Sequence, residues 1–527
     1  MHSLVFVFGG LLSIAQAATN TSWANAIECL RKKEVPIDEH GSVDWIRDSA
    51  AYNVRLPIFT PAAIAVPTTI AQIQKAVICG NQTRFKVSAK AGGHSYTGGG
   101  FGSENGHLIV QLDRMYNVTL NRMSNIATVQ PGARLGHMAT ELFNLGNRSI
   151  SHGTCPRKVE CVLAWVGASG HMTSGGYGMS SHTRGLALDW VESATVVLAN
   201  GDIVEASETE NLDLFWAIRG AGPNFGIVAS WRLRTFEAPV NLTWFRIALD
   251  WNQGTAARYL GDVETYIHTE MPAELNFRIA DYDKGHPIAE GLYYGTATQF
   301  NSTSQPFLKA SNGNLTKYRQ VDWIDAMKHY SVDNTFNTTD VVIDYVEPGP
   351  PDNFFAKSLT FNGLKGDAAK AFVDYWYGAA MQVDRRWFFQ IDAAGGANSA
   401  YSKPPFDSRA SSSYAHRDKT FIIQFYDAVP TSHSNETYQA NGLSFLNGWV
   451  DNVTAALDRA DNTNWGAYAN YPDPTLGRGE AQKWYYGASL EQLRKYKLKY
   501  DPEELFKFPQ SIQPWGQQQL SDALRRH

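Results

Sequence analysis

A histidine stands inside a glycine-rich stretch, "KVSAKAGGHSYTGGG" at Lys86–Gly100, and this stretch could bind a cofactor. Glycines let backbone N–H groups approach a pyrophosphate closely, and His94 can project its imidazole into the same site. Two more glycine-rich stretches, Ser169–Gly185 and Arg219–Val228, lie in the same half of the chain. The three loops could line one large, extended, anionic cofactor. None joins a first strand to a helix as G-x-G-x-x-G, so a Rossmann site is not indicated.

Two of the four cysteines, Cys155 and Cys161, lie six positions apart in "GTCPRKVECVLAWVGASGH". A disulfide closing a short loop, a metal site, a reactive thiol and a covalent anchor all remain open for them. A metal site would need clustered ligands in paired spacing. His152 and His171 are near, but no paired motif follows, so no metal is expected.

The loops need a scaffold, and residues 62–235 have the pattern of alternating strands and helices. A helix is predicted from Thr69, which can cap its start, to Gly80 at its end. "HLIVQLDRM" predicts a strand. The dipeptide Asn200-Gly201 predicts a hairpin between two β-rich runs, "ESATVVLA" and "DIVEAS".

The second half of this region continues the alternation. A helix is predicted from about Asp213 to Gly220, and the strand after Asn224-Phe225-Gly226 follows directly.

Beyond Pro239 the pattern changes to short apolar alternation. The segments "AELNFRIADYD", "RWFFQIDAAGG" and "KTFIIQFYDAV" predict strands of one antiparallel sheet. Ser402–Tyr414 is a loop rich in proline and serine. The tail "SLEQLRKYKLKYDPEELF" predicts a helix that stops at Pro509.

The first 17 residues have the form of a secretory signal peptide, with cleavage after Ala17. Its apolar run is too short to span a bilayer, and no later segment is long and apolar enough. N-x-S/T sequons agree with secretion; they begin at Asn20, Asn81, Asn117, Asn147, Asn241, Asn301, Asn314, Asn337, Asn435 and Asn452.

The chain of 527 residues should form more than one core. Its formal net charge of −5 and the lack of a basic run argue against nucleic acid and anionic membranes as partners. The four cysteines allow three pairings. Of these, Cys29–Cys79 would tie the N-terminal segment to the first predicted helix.

Seven motifs stand out along the chain: "AGGHSYTGGG", "SHGTCP", "GHMTSGGYG", "GLALDW", "DLFWAIRGAGPNFGIV", "NYPDPTL" and "KYKLKYDPEELFKFPQSI". Together they give the chain a close resemblance to fungal oligosaccharide oxidases of the berberine-bridge-enzyme-like family. The resemblance implies an α+β fold: a two-subdomain FAD-binding domain of the vanillyl-alcohol-oxidase type, and a substrate domain whose large antiparallel sheet is covered by helices. The implied boundaries are 18–238 and 239–465 for these domains, with 466–527 returning to the FAD domain.

The resemblance also implies that FAD is held by two covalent bonds. His94 matches the residue bonded to the flavin 8α-methyl, and Cys155 matches the residue bonded to carbon 6. Other residues implied to contact FAD are Gly92, Gly93, Ser95, Gly170, His171, Gly175, Gly176, Tyr177, Gly226, Ile227, Val228 and Asn470.

Eight residues, Lys158–Trp165, depart from the family pattern, because removing them closes the motif as "GTCPRVGASGH". They are either a genuine loop or a gene-model error. Val166 takes the position near the oxygen-approach side if the insert loops out, and Lys158 takes it otherwise. With the insert present, Cys155 and Cys161 could instead oxidise to a disulfide.

Tyr471 in "AYANYPDPT" matches the catalytic base of the family. A phenol has a pKa near 10, so a partner must favour its proton loss, and Asp392 matches the acidic residue that hydrogen-bonds this tyrosine. The implied sugar contacts are Tyr96, Arg278, Gln390, Gln424 and Tyr468. An arginine at position 278 suggests an unacetylated gluco- or xylo-oligosaccharide.

The sequence therefore predicts a secreted, monomeric, FAD-dependent carbohydrate oxidase. It would oxidise the reducing-end C1 hydroxyl of an oligosaccharide to the lactone and reduce O2 to H2O2. Two alternatives stay open: an oxidase of secondary-metabolite alcohols or amines, and an inactive or flavin-free binding protein caused by the insert at 158–165.

Overall fold

The computed structural model describes residues 23–153, 166–330, 351–406, 412–428 and 436–516. The strands, numbered β1 to β17 in chain order, span Ala63–Ala65, Val87–Lys90, Leu108–Gln111, Val118–Asn121, Ile126–Val129, Arg148–Ser149, Val191–Val197, Ile203–Ser207, Ile227–Arg234, Phe236–Glu237, Leu242–Leu249, Leu275–Asp281, Ile288–Tyr293, Gly313–Val321, Phe354–Phe361, Arg386–Ala393 and Phe421–Ala428.

The α-helices include residues 23–32 and then Val43–Asp48, Ile70–Thr83, Leu135–Gly146, Ala168–Thr173, Ser181–Arg184, Leu212–Ala221, Ala256–Thr269, Ala297–Thr303, Gln305–Ser311, Trp323–Tyr330, Gly366–Tyr375, Glu436–Arg459, Arg478–Tyr486 and Leu490–Tyr500. Short 3-10 helices span Gly99–Phe101, Ala187–Trp190, Gly222–Asn224 and Gly487–Ser489, and a π-helical turn spans Trp376–Ala380. None of the helices in these ranges is long and apolar enough to cross a bilayer.

Three sheets lie in the part of the molecule before residue 239, and the smallest is an antiparallel pair of β10 and β6. A parallel sheet has the order β1-β3-β2, and an antiparallel sheet has the order β4-β5-β9-β7-β8. Strands β7 and β8 pair on either side of Asn200-Gly201, which confirms the predicted hairpin. "HLIVQLDRM" contains β3, and β9 begins directly after Gly226, as predicted.

A seven-stranded antiparallel sheet, called the large sheet below, dominates the next part, with the order β14-β11-β13-β12-β16-β17-β15. The three segments predicted as strands of one sheet are its adjacent strands β12, β16 and β17. Both predictions, an α+β fold and a large antiparallel sheet, are confirmed.

Alternation along the strands gives the large sheet two different faces. One face, with Phe389 and Ile391, packs on the helices Ala256–Thr269, Gly366–Tyr375 and Glu436–Arg459. The opposite face, called the site face below, carries Gln390 and Asp392 on β16, and Gln424 lies directly beside Gln390 on β17. These three helices cover one face, whereas on the site face the helix Trp323–Tyr330 packs against β11.

The segment after residue 466 packs back onto the N-terminal strands. Val87 donates its N–H to the carbonyl of Leu505 at 2.9 Å, and the buried Lys497 ammonium donates to the carbonyl of Asn224 at 2.7 Å. These contacts bring Tyr471 to the glycine-rich loops. The domain boundaries at 238 and 465 remain predictions.

Two predicted helix ends were wrong. The helix that begins after Thr69 continues through Gly80 to Thr83 and ends at Arg84, whose φ is 61°. Gly80 is a packing residue, because a Cβ there would lie 2.2 Å from the Val87 side chain.

The C-terminal helix ends at Tyr500 rather than at Pro509. Pro502 disfavours helical backbone at Asp501, whose carboxylate instead accepts N–H groups from Leu505 and Phe506 at 2.7 and 2.9 Å.

The structure contains the Cys29–Cys79 disulfide, across a sequence separation of 50. It joins the N-terminal helix to the helix Ile70–Thr83, as the sequence predicts. Cys155 and Cys161 lie outside the described residues, and so does the insert at 158–165.

Replacing both Cys29 and Cys79 by serine should lower the free energy of unfolding by about 2 to 4 kcal/mol, because a cross-link restricts the unfolded chain. Denaturant unfolding of the purified variant measures this. Equal midpoints for the variant and the wild type would contradict the expected role.

Candidate active site

A large cavity lies where the glycine-rich loops, the site face and the C-terminal segment meet. Most of the residues named from the sequence line it: Gly92, Gly93, His94, Ser95, Tyr96, Gly170, His171, Tyr177, Gly226, Ile227, Val228, Gln424, Tyr468, Asn470 and Tyr471. Val166 lines it too. The chain thus brings together side chains from its N-terminal, central and C-terminal parts.

His94 projects into this cavity from the loop after β2. Its ring stacks on Tyr52 with the ring centroids 4.2 Å apart. Burial is the main cause that lowers the pKa of His94 to about 3, and the charges of Arg134 and Lys90 add to it. The imidazole is therefore neutral at physiological pH, as a nucleophile that bonds to a cofactor must be.

The glycines of this loop allow two backbone segments to approach closely. A Cβ on Gly92 would lie 2.2 Å from the amide nitrogen of Gly167, and one on Gly93 would lie 2.9 Å from the Lys90 side chain. Only glycine fits at positions 92 and 93, and the backbone there stays open to the cavity.

His171 fixes the second loop. Its Nε2 accepts the N–H of Gly153 at 2.8 Å, and burial lowers the pKa of His171 to about 3 with help from His152. Its carbonyl accepts from the Asn470 amide at 3.0 Å. His171 and Asn470 therefore hold the loop to the C-terminal segment.

The Tyr468 hydroxyl is an acceptor for three donors. The N–H groups of Gly176 and Tyr177 donate to it at 3.0 and 2.9 Å, and the Asn470 amide donates at 3.1 Å. Gly175 and Gly176 have φ values of 132° and 86°. This geometry gives Tyr468 a direct role in holding the loop, whereas its role as a sugar contact stays a prediction.

Replacing Tyr468 by phenylalanine should lower the free energy of unfolding by about 2 to 3 kcal/mol, because the two buried backbone donors would lose their acceptor. Denaturant unfolding measures the change. Tyr266→Phe is the matched control, since the buried Tyr266 hydroxyl has no hydrogen-bond partner among the described residues. Equal losses in both variants would contradict the assignment.

Tyr471 lies at the junction of the cavity and the site face. Its ring is parallel to Tyr96, with centroids 5.8 Å apart, and its edge meets Tyr468 at 5.1 Å. The Gln390 amide donates to the Tyr471 hydroxyl at 3.4 Å, and the Gln424 amide donates to the Tyr96 hydroxyl at 2.9 Å. Burial, and next the charge of Asp392, raise the pKa of Tyr471 well above its usual value.

Asp392 lies behind Tyr471, and its Oδ2 has no hydrogen-bond partner among the described residues. Burial is the main cause that raises the pKa of Asp392 to about 7, although the charge of Arg278 opposes it. The structure gives the hydrogen bond of Tyr471 to Gln390, so the pairing of Tyr471 with Asp392 stays a prediction.

Arg278 is also buried behind the cavity wall, with 2% of its side chain exposed. Its Nε donates to Glu290 at 3.1 Å and its Nη1 donates to Gln390 at 3.4 Å. Its role as a sugar contact stays a prediction.

Sequence reasoning missed Tyr52 and Glu290. Tyr52 belongs to none of the quoted motifs, so no signal pointed to it. One feature of the sequence could have predicted a role for Glu290, which is a charged residue in the middle of the apolar strand β13.

Comparisons with known proteins agree with this geometry. Residues 61–207 match a family model described as an FAD binding domain, and residues 467–513 match one described as berberine and berberine like. The chain is 47% identical over 520 residues to a carbohydrate oxidase from Microdochium nivale, covering 98% of this chain and 100% of that one. It is 43% identical to a xylooligosaccharide oxidase from Thermothelomyces thermophilus, covering 98% and 99%.

Solved structures give the same result. The Microdochium nivale carbohydrate oxidase, in complex with a substrate analogue, superposes with a TM-score of 0.85 at 48% identity, covering 93% of this chain and 99% of that one. The glucooligosaccharide oxidase of Acremonium strictum, with 6-S-cysteinyl, 8α-N1-histidyl FAD, superposes with a TM-score of 0.85 at 39% identity and the same coverage.

Proposed function

The chain belongs to the berberine-bridge-enzyme-like FAD-linked oxidases, which have the vanillyl-alcohol-oxidase-type fold, and from this premise we propose that it is a carbohydrate oxidase acting on the reducing end of oligosaccharides. The C1 hydroxyl is oxidised to a lactone, and O2 is reduced to H2O2. The observation that carries the proposal is Tyr471, which lines the cavity and whose hydroxyl accepts a hydrogen bond from Gln390.

The residues present fit FAD. The backbone around Gly92 and Gly93 is open to the cavity, and glycine N–H groups suit a pyrophosphate. Ile227 and Val228 supply an apolar wall. The neutral imidazole of His94 suits a covalent bond to the flavin, and Cys155 would supply the second bond.

The bound FAD would supply the two-electron acceptor for the C1 hydride. The Tyr471 oxygen would take the proton of the C1 hydroxyl, so that two electrons and two protons leave the sugar as the lactone forms. The parallel ring of Tyr96 and the edge of Tyr468 hold the ring of Tyr471 in place.

Polar groups next to Tyr471 favour a hydroxylated substrate over an apolar alcohol. Gln390 and Gln424 lie side by side on β16 and β17, and both amides point to tyrosine hydroxyls. A sugar hydroxyl can exchange hydrogen bonds with such groups. Arg278 favours unacetylated gluco- or xylo-oligosaccharides.

Secretion is part of the proposal. The asparagines of seven sequons fall in the described residues, and all seven are exposed: Asn81, Asn117, Asn147, Asn241, Asn301, Asn314 and Asn452. Glycosylation requires such exposure. The N-terminal signal peptide agrees with it.

The full chain, expressed through a fungal secretory pathway, tests this function. We expect a yellow protein that keeps its flavin after acid precipitation and releases peroxide with cellobiose or xylobiose. Equal or faster turnover of aromatic alcohols would favour the secondary-metabolite alternative. A colourless protein would favour the binding-protein alternative.

A further inference from the structure

Four charged residues form one row across neighbouring strands on the site face. Arg246 on β11 lies beside Glu290 on β13, Glu290 lies beside Arg278 on β12, and Arg278 lies beside Asp392 on β16. The charges alternate in sign along the row. One end of it reaches the residue behind Tyr471.

Glu290 is the centre of this row, with 3% of its side chain exposed. It accepts hydrogen bonds from Arg278 at 3.1 Å, from Arg246 at 3.1 Å and from the Tyr282 hydroxyl at 3.3 Å. Burial alone would raise the pKa of Glu290, but the charges of Arg278 and Arg246 outweigh burial and lower it. The carboxylate is therefore ionised and holds Arg278 by its Nε.

A chain of hydrogen bonds runs from Glu290 to Tyr471. Arg278 Nη1 donates to the oxygen of the Gln390 amide at 3.4 Å, and the nitrogen of that amide donates to the Tyr471 hydroxyl at 3.4 Å. An arginine can only donate, so Gln390 must turn its oxygen to Arg278. Its NH2 group then faces Tyr471 and can only donate to it.

We propose that Glu290 is a positioning residue for sugar oxidation: by holding Arg278 it fixes the direction of the Gln390 amide and so favours the deprotonated oxygen of Tyr471. A donor directed at the phenol oxygen stabilises the phenolate over the phenol. This inference rests on the proposed function, because it assigns the proton acceptor to Tyr471.

The row also shows what Glu290 prevents. Arg278 Nη2 and Asp392 Oδ2 both lack a hydrogen-bond partner among the described residues, although their strands pair at these positions. Without the charge of Glu290, Arg278 is free to turn towards Asp392. Gln390 would then lose the donor that fixes its orientation.

Glu290→Gln in the flavin-loaded, full-length enzyme tests the proposal. We expect kcat on cellobiose to fall about tenfold near pH 6, and we expect the loss to shrink only at strongly alkaline pH, because burial and the charge of Asp392 keep the phenol of Tyr471 protonated until then. KM should change less than kcat. The matched control is Glu264→Gln, since Glu264 is equally buried but lies on the helix Ala256–Thr269, against the opposite face of the large sheet.

A second readout does not depend on turnover. The ultraviolet absorbance of tyrosinate is measured for each protein, and the spectrum of the same protein carrying Tyr471→Phe is subtracted. The difference spectrum reports the ionisation of Tyr471 alone. Glu290→Gln should give about a tenfold smaller tyrosinate fraction at a given pH, and Glu264→Gln should give no change.

An unchanged pH profile in Glu290→Gln, or a loss that is uniform across pH, would overturn the proposal. If this variant does not fold, Gln390→Met is tested instead. It removes the donor that contacts Tyr471 and must show the same pH-dependent loss of kcat. Wild-type enzyme that oxidises no saccharide would instead refute the proposed function, so the two failures are distinguishable.

Discussion

Replacing Tyr471 by phenylalanine is expected to reduce kcat on cellobiose about 10³-fold, because the reaction loses the group that takes the hydroxyl proton. The fold should survive. Among the described residues the hydroxyl has one hydrogen bond, from Gln390, and the ring contacts with Tyr96 and Tyr468 do not need the oxygen. Anaerobic mixing with cellobiose, followed by the loss of flavin absorbance, measures the chemical step directly.

Tyr414→Phe is the matched control for this prediction. Tyr414 is also buried, and its hydroxyl bonds Tyr401 at 3.1 Å rather than a residue of the site face. We expect it to keep a rate of flavin reduction within a few-fold of wild type. If the Tyr471→Phe enzyme keeps more than a tenth of the wild-type rate, a group other than Tyr471 accepts the proton.

The second large effect concerns Asp392 and pH. Burial raises the pKa of this carboxyl to about 7 in the folded protein, while its value in the unfolded chain is the ordinary one. The unfolded chain therefore releases this proton first, and the wild type loses stability as pH rises from about 4 to about 7. At pH 8 the loss amounts to about 4 kcal/mol.

Asp392→Asn cannot ionise and should avoid this loss. The free energy of unfolding of the variant minus that of the wild type should therefore be about 4 kcal/mol larger at pH 8 than at pH 4. Turnover of the variant should fall. Denaturant unfolding at both pH values measures the difference. Asp262→Asn, on an exposed helical position, should show no such trend. A variant whose relative stability is the same at both pH values would refute the raised pKa.

Local patterns in the sequence predicted the elements that depend on neighbouring residues. The hairpin at Asn200-Gly201 and the strand after Gly226 follow from turn chemistry and alternation, and the structure contains both. The same alternation places Gln390 and Asp392 on one strand face. The resemblance supplied what periodicity does not contain, which is the identity of the cofactor and the choice of Tyr471.

Long-range packing accounts for what sequence reasoning missed. The glycine at position 80 predicted a helix end. In the structure its role is packing, because the Val87 side chain on β2 leaves no space for a Cβ at this position. Glu290 acquires its role only when β13 lies beside β12 and β11, and strand order is not readable from alternation. Tyr52 lies far from His94 in the chain and meets it only in the folded molecule.

The return of the C-terminal segment to the glycine-rich loops has a consequence for when the enzyme becomes active. A chain is synthesised from its N-terminus, so the loop with His94 leaves the ribosome long before Tyr471 and the helix that anchors it through Lys497. A partly translated chain holds no proton acceptor and cannot turn over sugar. Under the proposed function, sugar oxidation therefore begins only after translation is complete and the C-terminal segment has packed onto the glycine-rich loops.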